Sequence, residues 1–261
     1  MLSRAGEKPS VDILGRLSFQ LYSARNFPPL EAQLAALAGL GFANVEPYGG
    51  QLAELGVLKA ALRRYGLRAP SIHVSLHNLT DRRARTVASL RDLGVGIAII
   101  PFALPAERPE DPEDWRAFGR GLSRLAAALA GDGLRLAWHN HDFEFSRLAN
   151  GACPLDLMLG DSPGLMWEAD IGWICRAGED PVFWLERYRE RVIAVHIKDV
   201  APPGEKLDED GWTEVGAGII DWGRVLPAVK ATGADLLVLE HDNPKDFEAF
   251  ARRSRAAVAA W

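Results

Sequence analysis

The sequence predicts an α/β fold, a single-domain (β/α)8 TIM barrel, and three observations lead there. Short apolar runs alternate with helix-period segments eight times over 261 residues, with no composition shift or linker between them, which is the pattern of a closed parallel barrel. Each of the six histidines, His73, His77, His139, His141, His196 and His241, lies in or just beyond a short apolar run, and a barrel gathers such positions because the carboxyl ends of its strands share one face. The rival doubly wound sheet would usually carry a glycine-rich turn after its first strand, and Gln20-Leu21-Tyr22-Ser23-Ala24-Arg25 has no glycine.

Leu17 to Tyr22 reads as the first strand. Pro28-Pro29 opens a helix with apolar Leu30, Leu34, Leu37 and Leu40, closed by Gly41. Ala43 to Glu46 is a short second strand, and the helix from Leu52 to Tyr65 stops at Gly66, a residue type that tolerates the left-handed conformation of helix ends. Leu67 to Val74 forms the third strand, followed by a polar stretch and a helix through Leu90. Gly96 to Phe102 is the fourth, its Ile97-Ala98-Ile99-Ile100 run apolar enough to be buried on both faces. A helix from Trp115 to Ala130 and the Gly131-Asp132-Gly133 turn lead to the fifth strand, Leu134 to Asn140. Pro154 to Leu159 suggests a short helix and Gly164 to Asp170 the sixth strand. Asp180 caps the next helix, with Pro181 in its first position, running to about Arg189. Val192 to Lys198 is the seventh strand, a helix runs from Asp221 to Thr232, Ala234 to Glu240 is the eighth strand, and Pro244 to Trp261 closes the chain. The barrel is placed at residues 15–261, behind a flexible leader at residues 1–14.

Composition narrows the function. With 48% apolar and 25% charged residues the chain is a globular domain with ample core, and disorder is excluded for most of it. A net charge of −5, with no basic stripe through an aromatic segment, argues against a nucleic-acid binder. Cys153 and Cys175 form no CxxC pair, so neither a disulfide framework nor a thiolate zinc site is indicated. The start of the chain lacks the apolar core of a signal peptide and no run is long enough for a membrane span. A cytoplasmic protein acting on a small, sugar-like molecule is expected, with a homo-oligomer left open.

The organising stretch is Trp138-His139-Asn140-His141-Asp142-Phe143-Glu144-Phe145, directly after the apolar run Leu134 to Ala137. Histidines spaced i, i+2 at a strand end send both imidazoles to one side. The polar strand ends together are Gln20, Glu46, His73, His139 with His141, Asp170, His196 with Lys198, and Glu240. Carboxylates and imidazoles converging from the last four strands are what a divalent cation requires. Mixed nitrogen and oxygen donors suit manganese, cobalt, zinc or iron, and oxygen cages suit magnesium or calcium; the expected cofactor is one divalent ion, Mn, Co, Zn or Mg.

These residues resemble the xylose isomerase-like sugar isomerases and epimerases, a barrel superfamily that also includes inosose dehydratase, ketose 3-epimerases and the AP endonuclease barrels. The resemblance runs from Leu17-Ser18-Phe19-Gln20 to Val238-Leu239-Glu240-His241-Asp242. Its most specific pieces are the Trp138 to Phe145 stretch, Ala169-Asp170-Ile171-Gly172-Trp173, Val195-His196-Ile197-Lys198-Asp199, and Val215-Gly216-Ala217-Gly218-Ile219-Ile220-Asp221-Trp222. It implies one metal ligand from each of strands five to eight, in many relatives Glu, Asp, His and Glu. Here they fall on His139, Asp170, His196 and Glu240, so the first is a departure; His139 or His141 fills that place. The symmetric exchange of a proton between two metal-bound glutamates is thereby put in question.

The resemblance further implies that Glu46 contacts substrate. Lys198 either holds a substrate oxyanion or carboxylate, or pairs with Asp170 or Glu168. Trp173, where some relatives have a histidine, offers a flat wall to a sugar ring. Gln20, His73 and His141 complete the substrate-binding set. The expected activity is a divalent-metal-dependent sugar isomerase or epimerase acting through an enediolate on a sugar, keto-sugar or inositol derivative, with Glu240, His139 and Glu46 as catalytic residues. Glu240 is the base and Glu46 or His141 the proton donor. Two alternatives stand beside it: a dehydratase or β-eliminating lyase on a keto-inositol or keto-glycoside, and a non-catalytic sugar-binding barrel. The long polar loop from Ala201 to Gly218, on the catalytic side, is expected to be a mobile lid with Trp212 as its apolar anchor.

Overall fold

The computed structural model describes residues 13–261, so the leader expected at residues 1–14 lies almost entirely outside the described residues. Seven strands form one parallel sheet: β1 (Leu17–Phe19), β2 (Ser71–His73), β3 (Ile97–Ile100), β4 (Arg135–His139), β5 (Met166–Asp170), β6 (Val192–Ile197) and β9 (Leu236–Leu239). Its order is β1-β9-β6-β5-β4-β3-β2. The gap between β1 and β2 is closed by the second predicted strand, which pairs through the isolated parallel bridges Gln20↔Glu46, Asn44↔Arg68 and Tyr48↔His73. All eight predicted staves are therefore present, and the fold is the predicted α/β barrel.

Alternation along the strands separates two cores. Ile97, Ile99, Ala137, Ile193, Ala194, Leu236 and Val238 pack together inside the barrel with Met166, while the larger cluster lies between the strands and the surrounding helices. Stepping two residues towards the carboxyl end from these interior positions reaches His139 from Ala137, Glu168 from Met166, His196 from Ala194 and Glu240 from Val238. An apolar plug thus ends where the polar layer begins.

Helix boundaries follow local chemistry. Gly66, Gly94 and Gly233 end their helices with φ of 68°, 75° and 70°, conformations that cost a side-chain-bearing residue energy. Asp180 accepts from Val182 N and is followed by Pro181, as the sequence indicates. The helix placed at Trp115 begins at Pro112, because Asp111 accepts from Asp114 N and caps it earlier. Three further differences arise where short polar side chains bond their own backbone. Tyr22 N donates to Gln20 Oε1, turning Leu21–Ala24 into a 3-10 helix rather than strand. Ser75 caps an additional short helix, Leu76–Thr80. Asp170 caps an unanticipated helix, Ile171–Arg176, through Trp173 N.

The Ala201 to Gly218 segment is not an open lid. It is bounded by a two-stranded antiparallel ribbon of β7 (Asp199–Val200) and β8 (Trp212–Thr213), and Trp212 is buried against Trp173 with the Arg176 guanidinium over its ring. Asp199 holds the returning chain: its carboxylate accepts from Gly216 N, Gly218 N, Ile220 N and Trp222 Nε1. Among the described residues no helix is long and apolar enough to cross a membrane.

Outside the barrel, the helix Pro112–Ala130 packs on Pro154–Gly160 through Gly119, where an added Cβ would overlap the Met158 carbonyl. Gly119→Ala is expected to cost about 1–3 kcal/mol through overpacking, lowering the melting temperature by roughly 2–4 °C per kcal/mol. Thermal unfolding followed by circular dichroism measures this.

Candidate metal centre

The polar layer is organised by carboxylates that each serve several imidazoles. Glu168 Oε2 lies 2.7 Å from His73 Nε2, 3.0 Å from His139 Nδ1 and 3.2 Å from His196 Nε2. Glu46 Oε1 lies 3.1 Å from His73 Nε2 and 3.0 Å from His196 Nε2, and Glu46 also accepts from Gln20 Nε2 and Ser71 Oγ. All these side chains are buried.

Because one nitrogen of His139 and one of His196 point down to these carboxylates, the other two point up. His139 Nε2 lies 3.7 Å and His196 Nδ1 3.8 Å from Asp170 Oδ2, and His196 Nδ1 lies 3.0 Å from Glu240 Oε2. Asp170 spends Oδ1 on capping its helix; its Oδ2 is buried without a hydrogen-bond partner. That oxygen faces two imidazole nitrogens and the Lys198 ammonium, 3.7 Å away and outside hydrogen-bonding distance; a divalent ion between the nitrogens and the carboxylates would complete it. Ligand atoms of His139, Asp170, His196 and Glu240 all lie within 4.8 Å of one another.

A second group, His73, His139, Glu168 and His196, meets the same distance limit, and spacing separates the two. Tetrahedral bonds to a zinc-like ion imply ligand atoms about 3.4 Å apart. The upper separations of 3.0, 3.7 and 3.8 Å bracket that value, whereas the lower contacts of 2.7, 3.0 and 3.2 Å are hydrogen-bonding distances, with Glu168 Oε1 also buried and without a hydrogen-bond partner. The upper residues fit a divalent ion, and the lower carboxylates orient its imidazoles from behind, as such outer partners commonly do.

Protonation follows the same division. Burial, together with the neighbouring His196 and His73, lowers His139 to about 4, leaving a neutral ring. Burial works against charge on His73, yet Glu46 and Glu168 raise it to about 10. His196 is likewise opposed by burial but raised well above its usual value by Glu168 and Glu240. Burial lifts Asp170 to about 7 against the pull of Lys198 and His196. Burial disfavours the Glu240 carboxylate, but Lys198 and His196 hold it well below the usual range.

His139 and Glu240 border a cleft of about 600 Å³ that is also lined by Tyr22, Tyr48, His73, Ser75, Asn78, Phe102, His141 and Asp242, while Asp170 and His196 are buried outside its lining. His73, His139, His141 and Glu240 thus stand where substrate would meet them. Gln20, Glu46 and Lys198 are buried outside the lining, as Asp170 and His196 are, and the contacts they make are with other site residues. Gln20 holds Glu46. Lys198 Nζ pairs with Asp242 at 2.6 Å and Glu240 at 3.2 Å, so of its two sequence readings the ion-pair one is realised, with Asp170 at 3.7 Å. Trp173 also lies behind the lining, tilted against His141 with ring centroids 5.0 Å apart.

Sequence reading assigned Glu168 no role beyond a possible partner for Lys198, although an acidic residue two positions before Asp170 inside an apolar strand shares its face. It also left Asn140 and Glu144 unassigned. Asn140 Oδ1 accepts from Trp167 Nε1 and Asp170 N, locking β4 to β5. Buried Glu144, raised by burial to about 8, accepts from Trp138 Nε1 and His141 N, fixing the backbone that carries His141.

Residues 34–260 match the family model described as xylose isomerase-like TIM barrel. The rhizopine catabolism protein MocC of Rhizobium meliloti is 28% identical over 243 residues, covering 78% of this chain and 72% of that protein. The inosose dehydratase of Lacticaseibacillus casei is 26% identical over 144 residues, covering 47% of this chain and 45% of that protein. A sugar phosphate isomerase/epimerase structure from Parabacteroides distasonis superposes with a TM-score of 0.76 at 22% identity, covering 96% of both chains. The structure of the IolI protein with a zinc atom gives 0.74 at 15% identity, covering 94% of this chain and 97% of that one. At these identities the structural likenesses speak for the fold alone.

Uptake of a divalent ion at the upper site requires His196 and Asp170 deprotonated, and both are raised without it. Zinc addition near pH 7 is therefore expected to release protons, and affinity is expected to rise with pH through 7 and beyond, because His196 holds its proton above that pH. A zinc titration in weakly buffered solution measures both; no proton release and no pH dependence would contradict this site.

Proposed function

The chain belongs to the xylose isomerase-like TIM-barrel family, and from that premise we propose that it enolises an unphosphorylated keto-sugar, keto-glycoside or keto-inositol at a divalent ion held by His139, Asp170, His196 and Glu240. The observation carrying this reading is the convergence of these donors, two of which, His139 and Glu240, border a cleft with no lysine or arginine among its lining residues. Two nitrogens with two carboxylates suit zinc, manganese or cobalt. When bound, such an ion would polarise a substrate carbonyl and stabilise the negative charge that develops as the neighbouring proton leaves.

Glu240, kept ionised by Lys198 and His196, borders the cleft and is the base that removes the α-proton. His73 borders the cleft too, with Nε2 held between Glu46 and Glu168; we assign it the proton-donor role that sequence reading gave to Glu46 or His141. Glu46 and Gln20 then act through His73 and His196 rather than on substrate. Return of the proton to the neighbouring carbon, or to the opposite face of the same carbon, gives isomerisation or epimerisation.

A second reading is favoured by the unlike character of this pair. A carboxylate base and an imidazolium acid bordering one cleft suit removal of one proton and protonation of a departing β-hydroxyl, that is, dehydration. Inosose dehydratases among the relatives support this outcome.

Incubation of manganese-loaded protein in D2O with keto-sugars and keto-inositols, followed by NMR, tests the common step and separates the outcomes. Exchange of the α-hydrogen is expected, with product retaining all oxygens for an isomerase or epimerase and losing water for a dehydratase. Glu240→Gln should slow exchange about 10²–10⁴-fold; an unchanged rate would remove Glu240 as base.

A further inference from the structure

Resting on that reading of the inner cleft, we propose that the outer cleft is a second sugar subsite, formed by Tyr22, Tyr48 and Phe102, and that the substrate is a neutral two-ring keto-glycoside rather than a free keto-sugar. The cleft's 600 Å³ lies well inside the range of about 300–1,000 Å³ that encloses ligands larger than one small ring. His73, His139 and Glu240 of the polar layer line it, and so do the aromatic side chains of Tyr22, Tyr48 and Phe102.

Those side chains are exposed yet braced. Tyr22 is 39% and Phe102 37% exposed, so neither owes its position to core burial. Tyr22 meets Tyr48 edge-on at 5.5 Å, and the Arg25 guanidinium lies 3.9 Å from the Tyr22 ring centre. Arg25 is itself anchored by donating to the Tyr22 and Asp242 carbonyls. Tyr48 rests on Gly50, where an added Cβ would come within 2.7 Å of the ring. Phe102 meets His141 edge-on at 5.2 Å and Phe143 at 5.8 Å, with Arg108 4.9 Å from its ring centre.

Fixed aromatic faces with an open side are platforms for the apolar faces of a pyranose ring, and fixing them beforehand removes an ordering cost from binding. Ser75 and Asn78 add a hydroxyl and an amide for sugar hydroxyls. Neither Arg25 nor Arg108 is among the lining residues, whose charged side chains other than histidine are the carboxylates Glu240 and Asp242, which disfavours a phosphorylated or carboxylated second ring.

Saturation-transfer NMR of the zinc-loaded full chain with glucose and with cellobiose tests the subsite. Cellobiose is expected to bind about five-fold tighter than glucose, with saturation on both rings. Tyr22→Ala and Phe102→Ala should each remove that difference while zinc uptake stays unchanged. Equal binding of the two sugars, no binding of either, or variants that keep the difference would overturn the proposal. Cellobiose carries no ketone, so such a failure leaves the enolisation reading standing, whereas missing zinc uptake or missing deuterium exchange would strike that reading alone.

Discussion

Three buried imidazoles share one buried carboxylate, and the polar half of the barrel is arranged around that fact. Charges taken out of water are tolerated only when paired, and Glu168 pairs with His73, His139 and His196 through a single oxygen. Glu46 repeats the device for His73 and His196. The ring orientations are thereby settled from below, which leaves His139 Nε2 and His196 Nδ1 facing Asp170 and Glu240 above. Lys198 supplies compensating charge to Glu240 and Asp242 from the side. Removing one member of such a network leaves its partners buried and unpaired, so its residues act as a unit.

The surrounding sequence serves this layer more than it serves substrate. The Trp138 to Phe145 stretch looks like a run of site residues, yet only His139 and His141 of it border the cleft. Trp138, Asn140 and Glu144 tie strand ends together. Asp199 gathers the loop that follows β7, and Trp212 lies between Lys198 and Arg176, with its ring centre 4.2 Å and 3.3 Å from their charged groups. Trp212, the apolar anchor of the expected lid, packs beside the lysine.

The barrel was legible because strand and helix periods differ, because glycine and proline punctuate the helix ends, and because histidines in apolar runs mark strand ends. The motifs point to His139, Asp170, His196 and Glu240, and these four side chains do converge. The roles of Gln20, Glu46 and Lys198 were not legible, because depth within a barrel is set by the stagger of neighbouring strands. A residue at a strand end can lie beneath the cleft as easily as beside it, and sequence spacing alone does not distinguish the two. Glu168 was overlooked for the same reason in reverse, being inside a strand yet at the level of His139 on the neighbouring one. The helix at Ile171 was hidden because it begins at the carboxylate that also faces the ion site, so one oxygen of Asp170 caps while the other is left free.

Anomalous diffraction from zinc-soaked crystals tests most directly whether the upper of the two overlapping donor sets holds the ion. One zinc about 2.0–2.2 Å from His139 Nε2, Asp170 Oδ2, His196 Nδ1 and a Glu240 oxygen is the predicted result; zinc bound instead to His73, His139 Nδ1, Glu168 and His196 Nε2, or no ordered zinc at either set, would contradict it.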